Sequence, residues 1–163
     1  MKTSMPIAVA TAAVAALLLS GCSLINSLTG GETRDDTGTI VEGGTTDVFA
    51  LAVGDCIGAS TGTGEVSDVP TVPCAEPHDD EVYADFPLAD GDYPGEDAIF
   101  EQADQGCYDA FAPFVGIAYE DSTLDFSYYY PTSGSWAQGD RLISCLIFDP
   151  AGQTTGSLEG AAR

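Results

Sequence analysis

The four cysteines between residues 56 and 145 constrain the fold of this chain more than any other feature of its sequence. They are Cys56, Cys74, Cys107 and Cys145. An even number of cysteines in an exported domain of this size indicates two disulfides, for which three pairings exist. We favour Cys56–Cys74, which flanks the loop between the first two predicted strands, and Cys107–Cys145, which would join a helix to the sheet. Zinc ligation is the competing interpretation, but the chain has no CxxC pair.

The amino terminus has the pattern of an export signal. Lys2 precedes an apolar stretch over residues 7–19, which is too short to span a bilayer, since a spanning helix needs about 20 apolar residues. The stretch ends in Leu19-Ser20-Gly21-Cys22, an order that resembles the lipobox of bacterial lipoproteins. The resemblance implies that Cys22 carries a diacylglycerol, which anchors the mature chain in the cell membrane on its extracytoplasmic face. The alternative is an ordinary secreted protein with a chance cysteine.

Acidic residues greatly outnumber basic ones. The formal net charge is −22, and it becomes one unit more negative when Lys2 is removed with the signal. Such a surface repels nucleic acids and anionic lipid headgroups, because proteins bind both through Lys and Arg. We therefore predict no nucleic-acid partner, whereas divalent cations and basic protein surfaces are compatible with this charge.

Composition divides the chain into four segments. Residues 1–21 are the predicted signal peptide, and residues 22–46, rich in Gly, Thr, Ser and Asp, predict a lipidated flexible linker. Aromatic and β-branched residues concentrate in residues 47–150, which we predict to be the folded domain. Residues 151–163 are small and polar and predict a disordered tail.

Within the domain, the patterns predict several strands and one main helix. Strands are expected over residues 48–53, 66–72, 81–88, 124–130 and 141–148. The helix is expected to open at Pro94-Gly95-Glu96-Asp97 and to stop at Pro113, with its apolar stripe formed by Ile99, Ala103, Cys107, Ala110 and Phe111. The polar segment 131–140 favours a hairpin-type connection between the last two strands. One helix packed on a small antiparallel sheet, with two disulfides, is an α+β domain.

Two groups of residues resemble the signatures of a known family. The first is Val53-Gly54-Asp55-Cys56 with Val72-Pro73-Cys74-Ala75-Glu76-Pro77-His78-Asp79-Asp80-Glu81-Val82. The second is Tyr130-Pro131-Thr132, Ser135-Trp136-Ala137-Gln138-Gly139-Asp140-Arg141 and Cys145-Leu146. Over about residues 53–148, the chain resembles the actinobacterial septum-formation domain family. The resemblance implies an extracytoplasmic domain linked to cell division, and it implies no known enzymatic reaction.

His78 is the only histidine of the chain, and it lies among carboxylates that include Glu81. One interpretation is a general base or a metal ligand. The other is a structural imidazole that bonds a backbone carbonyl or a carboxylate, and we favour it because no GxSxG-type nucleophile motif is present. An envelope hydrolase that uses His78 with Asp or Glu is the alternative function.

Arg141 is the single cation among residues 47–150, against 21 Asp and Glu. We predict that it binds carboxylates or carbonyls structurally, with Asp140 and the segment 76–81 as partners, so that Arg141→Ala destabilises the domain severely. A receptor for a ligand carboxylate is the alternative. Trp136, near the tyrosines at 128–130, could form a surface for sugar stacking, although core packing is the commoner use of such aromatics.

Residues 90–101 share the acidic positions, the Gly and the final Glu of a calcium-binding loop, but Pro94 occupies a ligand position. Acidic residues that begin a helix account for most of this pattern, and a calcium-dependent adhesion or sensor domain is a third functional alternative. The sequence thus favours a membrane-anchored, non-enzymatic interaction domain without a metal or other cofactor. Its partner is predicted to be an envelope or division protein or a wall component.

Overall fold

The structure, a computed structural model, describes residues 30–59 and 64–163. This part of the chain forms eight strands, which are β1 (Thr33–Arg34), β2 (Ile40–Glu42), β3 (Gly44–Asp47), β4 (Cys56–Ile57), β5 (Asp68–Val72), β6 (Asp80–Pro87), β7 (Asp125–Tyr129) and β8 (Leu142–Phe148). The α-helices are α1 (Glu96–Val115) and α2 (Ser133–Trp136), and short 3-10 helices cover Val48–Ala50 and Tyr119–Asp121. The predicted signal peptide and Cys22 lie outside the described residues.

Six of the strands form one antiparallel sheet in the order β3-β5-β4-β6-β8-β7, which leaves β3 and β7 at its edges. The predicted hairpin between the last two strands is confirmed, because β7 pairs with β8. The strand expected over residues 48–53 is wrong. The Asp47 side chain accepts a hydrogen bond from the Phe49 N–H at 2.9 Å, which ends β3 and begins a 3-10 turn.

The long helix α1 packs its apolar stripe on one face of this sheet. Its buried residues are Ile99, Ala103, Cys107, Phe111 and Val115. They contact Tyr83 of β6 and the inward-facing residues of β8, among them Ile143 and Ile147. The helix does not stop at Pro113 as predicted. A proline in the last turn removes only one backbone donor, and the helix continues to Val115. Gly116 caps it, with a φ of 92° that suits glycine and an N–H that donates to the Ala112 carbonyl.

Both predicted disulfides are confirmed. Cys56–Cys74 joins β4 to the loop after β5, and Cys107–Cys145 joins α1 to β8, with Cα–Cα distances of 5.2 and 5.5 Å. The closed loops are worth roughly 3 and 4 kcal/mol in the chain-entropy model. The α+β class is therefore confirmed, with one main helix fixed covalently to an antiparallel sheet.

The opposite face of the sheet carries a second, smaller apolar cluster. Its buried members are Leu51, Ile57, Val69, Val82 and Leu146. Leu146 alternates along β8 with Cys145 and Ile147, which face the helix, so its side chain lies on the other side of the sheet. The 3-10 segment at Val48–Ala50 and the chain around Val66 border this face, which is therefore only partly covered.

The segment predicted to be a flexible linker is folded over its described part, residues 30–46. β1 pairs with β2, and β3 adds to the main sheet through β5. Thr46 is buried, and its hydroxyl lies 2.6 Å from that of Thr71. Backbone pairing and polar contacts order this stretch although it has few large apolar residues, a contribution that composition does not reveal.

The predicted disordered tail, residues 151–163, also folds back onto the domain. Thr154 forms a β-bridge with His78, and Leu158 is buried in the helix-side core. The N–H groups of Gly160 and Ala162 donate to carbonyls at the end of α1. One buried leucine and a series of hydrogen bonds hold the tail, so that the domain extends to the end of this chain.

Candidate functional site

His78 is fully buried, and both of its ring nitrogens are within hydrogen-bonding distance of protein atoms. Nδ1 lies 2.9 Å from the Glu76 carbonyl oxygen, and Nε2 lies 3.1 Å from the Thr154 hydroxyl. The backbone groups of His78 and Thr154 bond each other as well. The ring therefore holds the returning tail against the start of β6, and it does not face an open cleft.

Glu81 is also buried, and its carboxylate therefore needs hydrogen-bond donors within the protein. Its Oε1 accepts from the Ser157 hydroxyl and its Oε2 from the Leu158 N–H, both at 2.6 Å. Among the described residues, the only group of three potential metal ligands whose ligand atoms lie within 4.8 Å of one another is Glu81 with Cys56 and Cys74. The two sulfur atoms are bonded to each other, so the group offers no thiolate.

Arg141 lies over the Trp136 ring, with its guanidinium carbon 3.7 Å from the ring centroid. Its Nη1 donates to the carbonyl oxygens of Trp136 at 2.9 Å and of Asp140 at 2.5 Å. Nε lies 3.3 Å from Oδ1 of Asp90 without a hydrogen bond, and the Asp90 side chain is 95% exposed. Arg141 thus binds carbonyls and an aromatic face. The predicted contact with the segment 76–81 is not formed.

Asp140 takes part through its carbonyl, while its carboxylate has other donors. Oδ2 accepts from the Ser135 hydroxyl at 2.8 Å, and Oδ1 accepts from the Leu142 N–H at 3.0 Å. The Trp136 indole N–H donates to the Gly91 carbonyl at 3.0 Å, and the ring is buried. The aromatic therefore belongs to the core, and sugar stacking on an exposed Trp136 face is not supported.

The arginine that binds a buried carboxylate is Arg34, which lies in the segment predicted to be a flexible linker. Nη1 and Nη2 donate to the two carboxylate oxygens of Asp55, each at 2.7 Å, and Nε donates to Glu32 at 3.2 Å. Asp55 is buried, and it also accepts from the Ala52 N–H. The Asp55 contact is the main cause that raises the pKa of Arg34. In the sequence of this segment, the β-branched pair Ile40 and Val41 is the one feature that indicates a strand.

An open groove lies at the β7 edge of the sheet, and we call it the edge groove. Its volume is about 720 Å³. Its lining comes from residues 48–49, 64–66, 96, 128–130, 132–135, 140, 142 and 144. Tyr129 pairs with Ser144 across β7 and β8, and Ser144 alternates with residues that face the helix, so this pair lies on the face opposite α1.

Aromatic and apolar side chains form one part of the edge groove. Phe49 is 59% exposed, which is unusual for a phenylalanine. Tyr129 is half-buried against the second apolar cluster. Tyr128 and Tyr130 pack against Phe100 of α1, and their ring centroids lie 6.4 and 4.9 Å, respectively, from that of Phe100. Burial is the main cause that raises the pKa of Tyr128 to about 12, so its hydroxyl is neutral at physiological pH.

The charged lining of the edge groove is entirely acidic. It consists of Glu65, Glu96 and Asp140. Glu65 accepts one hydrogen bond, from the Thr132 hydroxyl at 3.1 Å. A second cavity of about 570 Å³ shares Phe49 and Asp140 with the groove and reaches Arg141, whose guanidinium is already stacked on Trp136. Nothing in the local sequence around Phe49, Glu65 or Glu96 predicts that these residues share a cleft, and Glu96 was predicted only as part of the helix start.

The acidic stretch at residues 90–101 does not converge on one point. Asp90 faces Arg141, Glu96 and Asp97 lie in the first turn of α1, and Glu101 lies farther along the helix. This arrangement follows the helix-start interpretation, in which acidic groups favour the N-terminal end of the helix dipole.

Asp80 has the most perturbed carboxyl outside these sites. Burial first, and then the charge of Asp79, raises its pKa to about 6, while His78 acts in the opposite direction. Asp79, Asp80 and Asp149 line a shallow cavity of about 290 Å³ at the end of β8. The carboxyl is therefore half-protonated near pH 6, which makes it a titrating group of the folded state.

In the described part of the chain, no helix has the length and apolar character needed to cross a membrane.

Comparison with known proteins gives one match. No curated protein and no solved structure matches the sequence. A family model described as septum formation matches residues 20–145, which is more than half of the chain and includes both cysteine pairs. The chain therefore belongs to the septum formation family.

Proposed function

We propose that this protein is a lipid-anchored, non-enzymatic domain of the cell envelope that docks onto a component of the division machinery or the wall through the edge groove. The family match supports a role in cell division or envelope processes. The observation that carries the docking role is the groove itself, which is open, partly aromatic, and lined by carboxylates without an internal cation.

The proposed location rests on two features of the sequence and the fold. Leu19-Ser20-Gly21-Cys22 resembles a lipobox, which supports lipidation at Cys22, and disulfides such as Cys56–Cys74 and Cys107–Cys145 persist in oxidising compartments outside the cytosol. A diacyl group holds a protein firmly at a membrane, since each buried methylene contributes about 0.8 kcal/mol. The described domain would then face the extracytoplasmic side on a short amino-terminal connection.

The non-enzymatic part of the proposal is supported by the positions of the best catalytic candidates. A hydrolase that used His78 with a carboxylate would need both groups at an open cleft. His78 and Glu81 are instead buried and bonded to the tail, through Thr154, Ser157 and Leu158. Neither residue lines the edge groove.

The docking role is tested by localisation of the full-length protein in dividing cells. Phe49→Ser removes the exposed aromatic side chain of the groove, and Val41→Ser, at a residue of β2 that is 48% exposed, is the matched control. We expect the Phe49 variant to lose its enrichment at the septum while the Val41 variant keeps it. Normal septal enrichment of a stable Phe49→Ser protein would overturn the docking role of the groove.

The anchor is tested separately. Cys22→Ala should release the protein from the membrane fraction or leave the precursor uncut, as followed by fractionation and by mass spectrometry of the amino terminus. A wild-type protein that is unacylated, with a mature amino terminus elsewhere, would rule out the lipoprotein assignment.

A further inference from the structure

We infer that the edge groove receives an extended peptide segment that bears lysine or arginine side chains and belongs to a partner protein. This inference rests on the proposed docking role and names the chemistry of its partner. Three features of the described residues carry it, which are the charge of the groove, the free edge of β7, and the exposed aromatic surface at one side.

The charge of the groove is not balanced from within the protein. Glu65, Glu96 and Asp140 line it, and no Lys, Arg or His is among its lining residues. The three arginines of the described residues are engaged elsewhere: Arg34 with Asp55, Arg163 with Asp149, and Arg141 with the Trp136 ring. The formal net charge of the whole chain is −22, so its electrostatic field attracts cationic segments and repels anionic ones.

The strand beside the groove, β7, lies at the edge of the sheet, where an extended peptide can pair with it. β7 is the last strand of the sheet and pairs only with β8 among the described strands. The free side of an edge strand presents N–H and C=O groups, to which an extended peptide can add as a further strand. Tyr128, Tyr129 and Tyr130, at and just past the end of β7, line the groove, which places this edge next to the acidic groups.

The apolar surface suits the stems of basic side chains. Phe49 and Val66 border the groove, and the Tyr129 ring is half-buried there. Lysine and arginine bury their methylene stems on such surfaces while their charged ends remain at carboxylates, and guanidinium or ammonium groups are attracted to aromatic faces. A wall glycan is the less favoured occupant, because the hydroxyls of a neutral sugar can hydrogen-bond the carboxylates but bring no positive charge to them, and an acidic glycan is repelled.

The test uses the full-length lipoprotein in neutral lipid nanodiscs and three synthetic octapeptides. The peptides are alternating Lys-Thr, Gln-Thr and Glu-Thr repeats, which place like side chains on one face of a strand. We expect the Lys-Thr peptide to bind at least about tenfold more tightly than the Gln-Thr peptide, and the Glu-Thr peptide not to bind. Of the two alternate sets of backbone amides in the Lys-Thr peptide, N-methylation of one should abolish binding and N-methylation of the other should not, since an added strand directs only alternate N–H groups to β7.

Matched charge variants separate the groove from the general field of the protein. Glu65→Gln combined with Glu96→Gln should weaken Lys-Thr binding by about tenfold, the effect of two exposed ion pairs of ordinary strength. The control combines Glu42→Gln with Glu159→Gln, two exposed residues outside the groove, and changes the net charge equally. The control should stay within about twofold of wild type. Equal weakening by both double variants overturns the inference, because it indicates non-specific attraction.

Three further outcomes distinguish this inference from the docking role itself. If Phe49→Ser abolishes septal enrichment but the Lys-Thr peptide does not bind, the groove docks another class of partner and the inference fails alone. Binding of an N-acetylglucosamine tetramer in preference to the Lys-Thr peptide would likewise overturn the inference and favour a wall glycan. If Phe49→Ser leaves enrichment intact, the docking role fails, whatever the peptides do.

Discussion

Two acidic regions of this protein, similar in composition, differ in how their carboxylates are satisfied. The first, which we call the buried polar region, contains Asp55, which pairs with Arg34. It also contains Glu81, which accepts hydrogen bonds from Ser157 and Leu158. In the edge groove, Glu65 accepts a single hydroxyl, and Glu96 is exposed and makes no hydrogen bond or ion pair with the described residues. The comparison indicates that the first region maintains the fold, while Glu65 and Glu96 in the second are exposed to solvent, as the proposed docking role requires.

The physical reason for the difference is burial. A carboxylate removed from water must find donors or a cation inside the protein, because an unpaired buried charge is very costly. The amino-terminal strand β1 supplies Arg34 and the tail supplies Ser157 and Leu158 for that purpose. In the groove, Glu65 and Glu96 are exposed to solvent and need no such partner, so they keep their capacity to bind, whereas the Asp140 carboxylate is already bonded to Ser135 and Leu142.

Removal of the tail should have the largest effect on the buried polar region. A chain truncated after Gly152 loses both donors to Glu81 and the buried side chain of Leu158. We expect a loss of about 4 kcal/mol in the free energy of unfolding, measured by denaturant titration. Glu159→Gln in the full-length chain, which leaves both donors in place, is the control. A truncated protein as stable as wild type would show that the tail contributes nothing to the fold.

The two arginines should respond differently to removal. Arg34→Ala leaves the buried Asp55 carboxylate without its cation, and we expect a loss of about 3 kcal/mol. Arg141→Ala should cost less, about 2 kcal/mol, because this arginine donates to the carbonyls of Trp136 and Asp140 and stacks on the Trp136 ring but pairs only with an exposed carboxylate, that of Asp90. The sequence-based expectation of a severe Arg141→Ala defect assumed buried carboxylate partners, whereas the carboxylate that pairs with Arg141, that of Asp90, is exposed. Thermal and denaturant unfolding of both variants check the order, and a larger loss for Arg141→Ala would contradict it.

The same substitution in each region sharpens the comparison. Glu81→Gln replaces one accepting oxygen by an NH₂ group, which cannot accept from both the Ser157 hydroxyl and the Leu158 N–H, so we expect a loss of about 2 kcal/mol. Glu65→Gln in the groove should change stability by less than about 0.5 kcal/mol, as is usual for exposed positions. Parallel denaturant titrations measure both. Equal losses would remove the distinction between the regions.

The smallest expected effect concerns pH and Asp80. Its folded-state pKa of about 6 lies above the ordinary value of 3.8, so its contribution to stability is present in full below 3.8 and is lost as the pH rises through 6. With allowance for its partial exposure, the change is on the order of 1 kcal/mol. Asp80→Asn should flatten the stability profile between pH 4 and 7. An unchanged profile in thermal scans over this range would show that Asp80 titrates normally.

Local sequence patterns were sufficient for the helix, the last hairpin and the disulfides. Cys107 lies on the apolar stripe of a helix and Cys145 in a strongly apolar strand, so their pairing follows from the way in which a helix packs on a sheet. Periodicity did not identify β3 or the returning tail, since both are short, polar and held by bonds to distant residues. It also placed the end of α1 at Pro113, because the sequence does not show how little one missing donor costs in a final turn.

The sequence by itself determined the α+β class, the two disulfides and the membership of the septum formation family, because each depends on residue types at fixed spacings. Only the tertiary structure decided the fate of the polar residues. His78 and Glu81 are covered by a tail some 76 residues farther along the chain. Asp55 pairs with Arg34, and Glu65 and Glu96 are exposed to solvent. The reason is that a carboxylate's role is fixed by its burial and by the donors near it in space, and neither is encoded in the residues next to it in the chain.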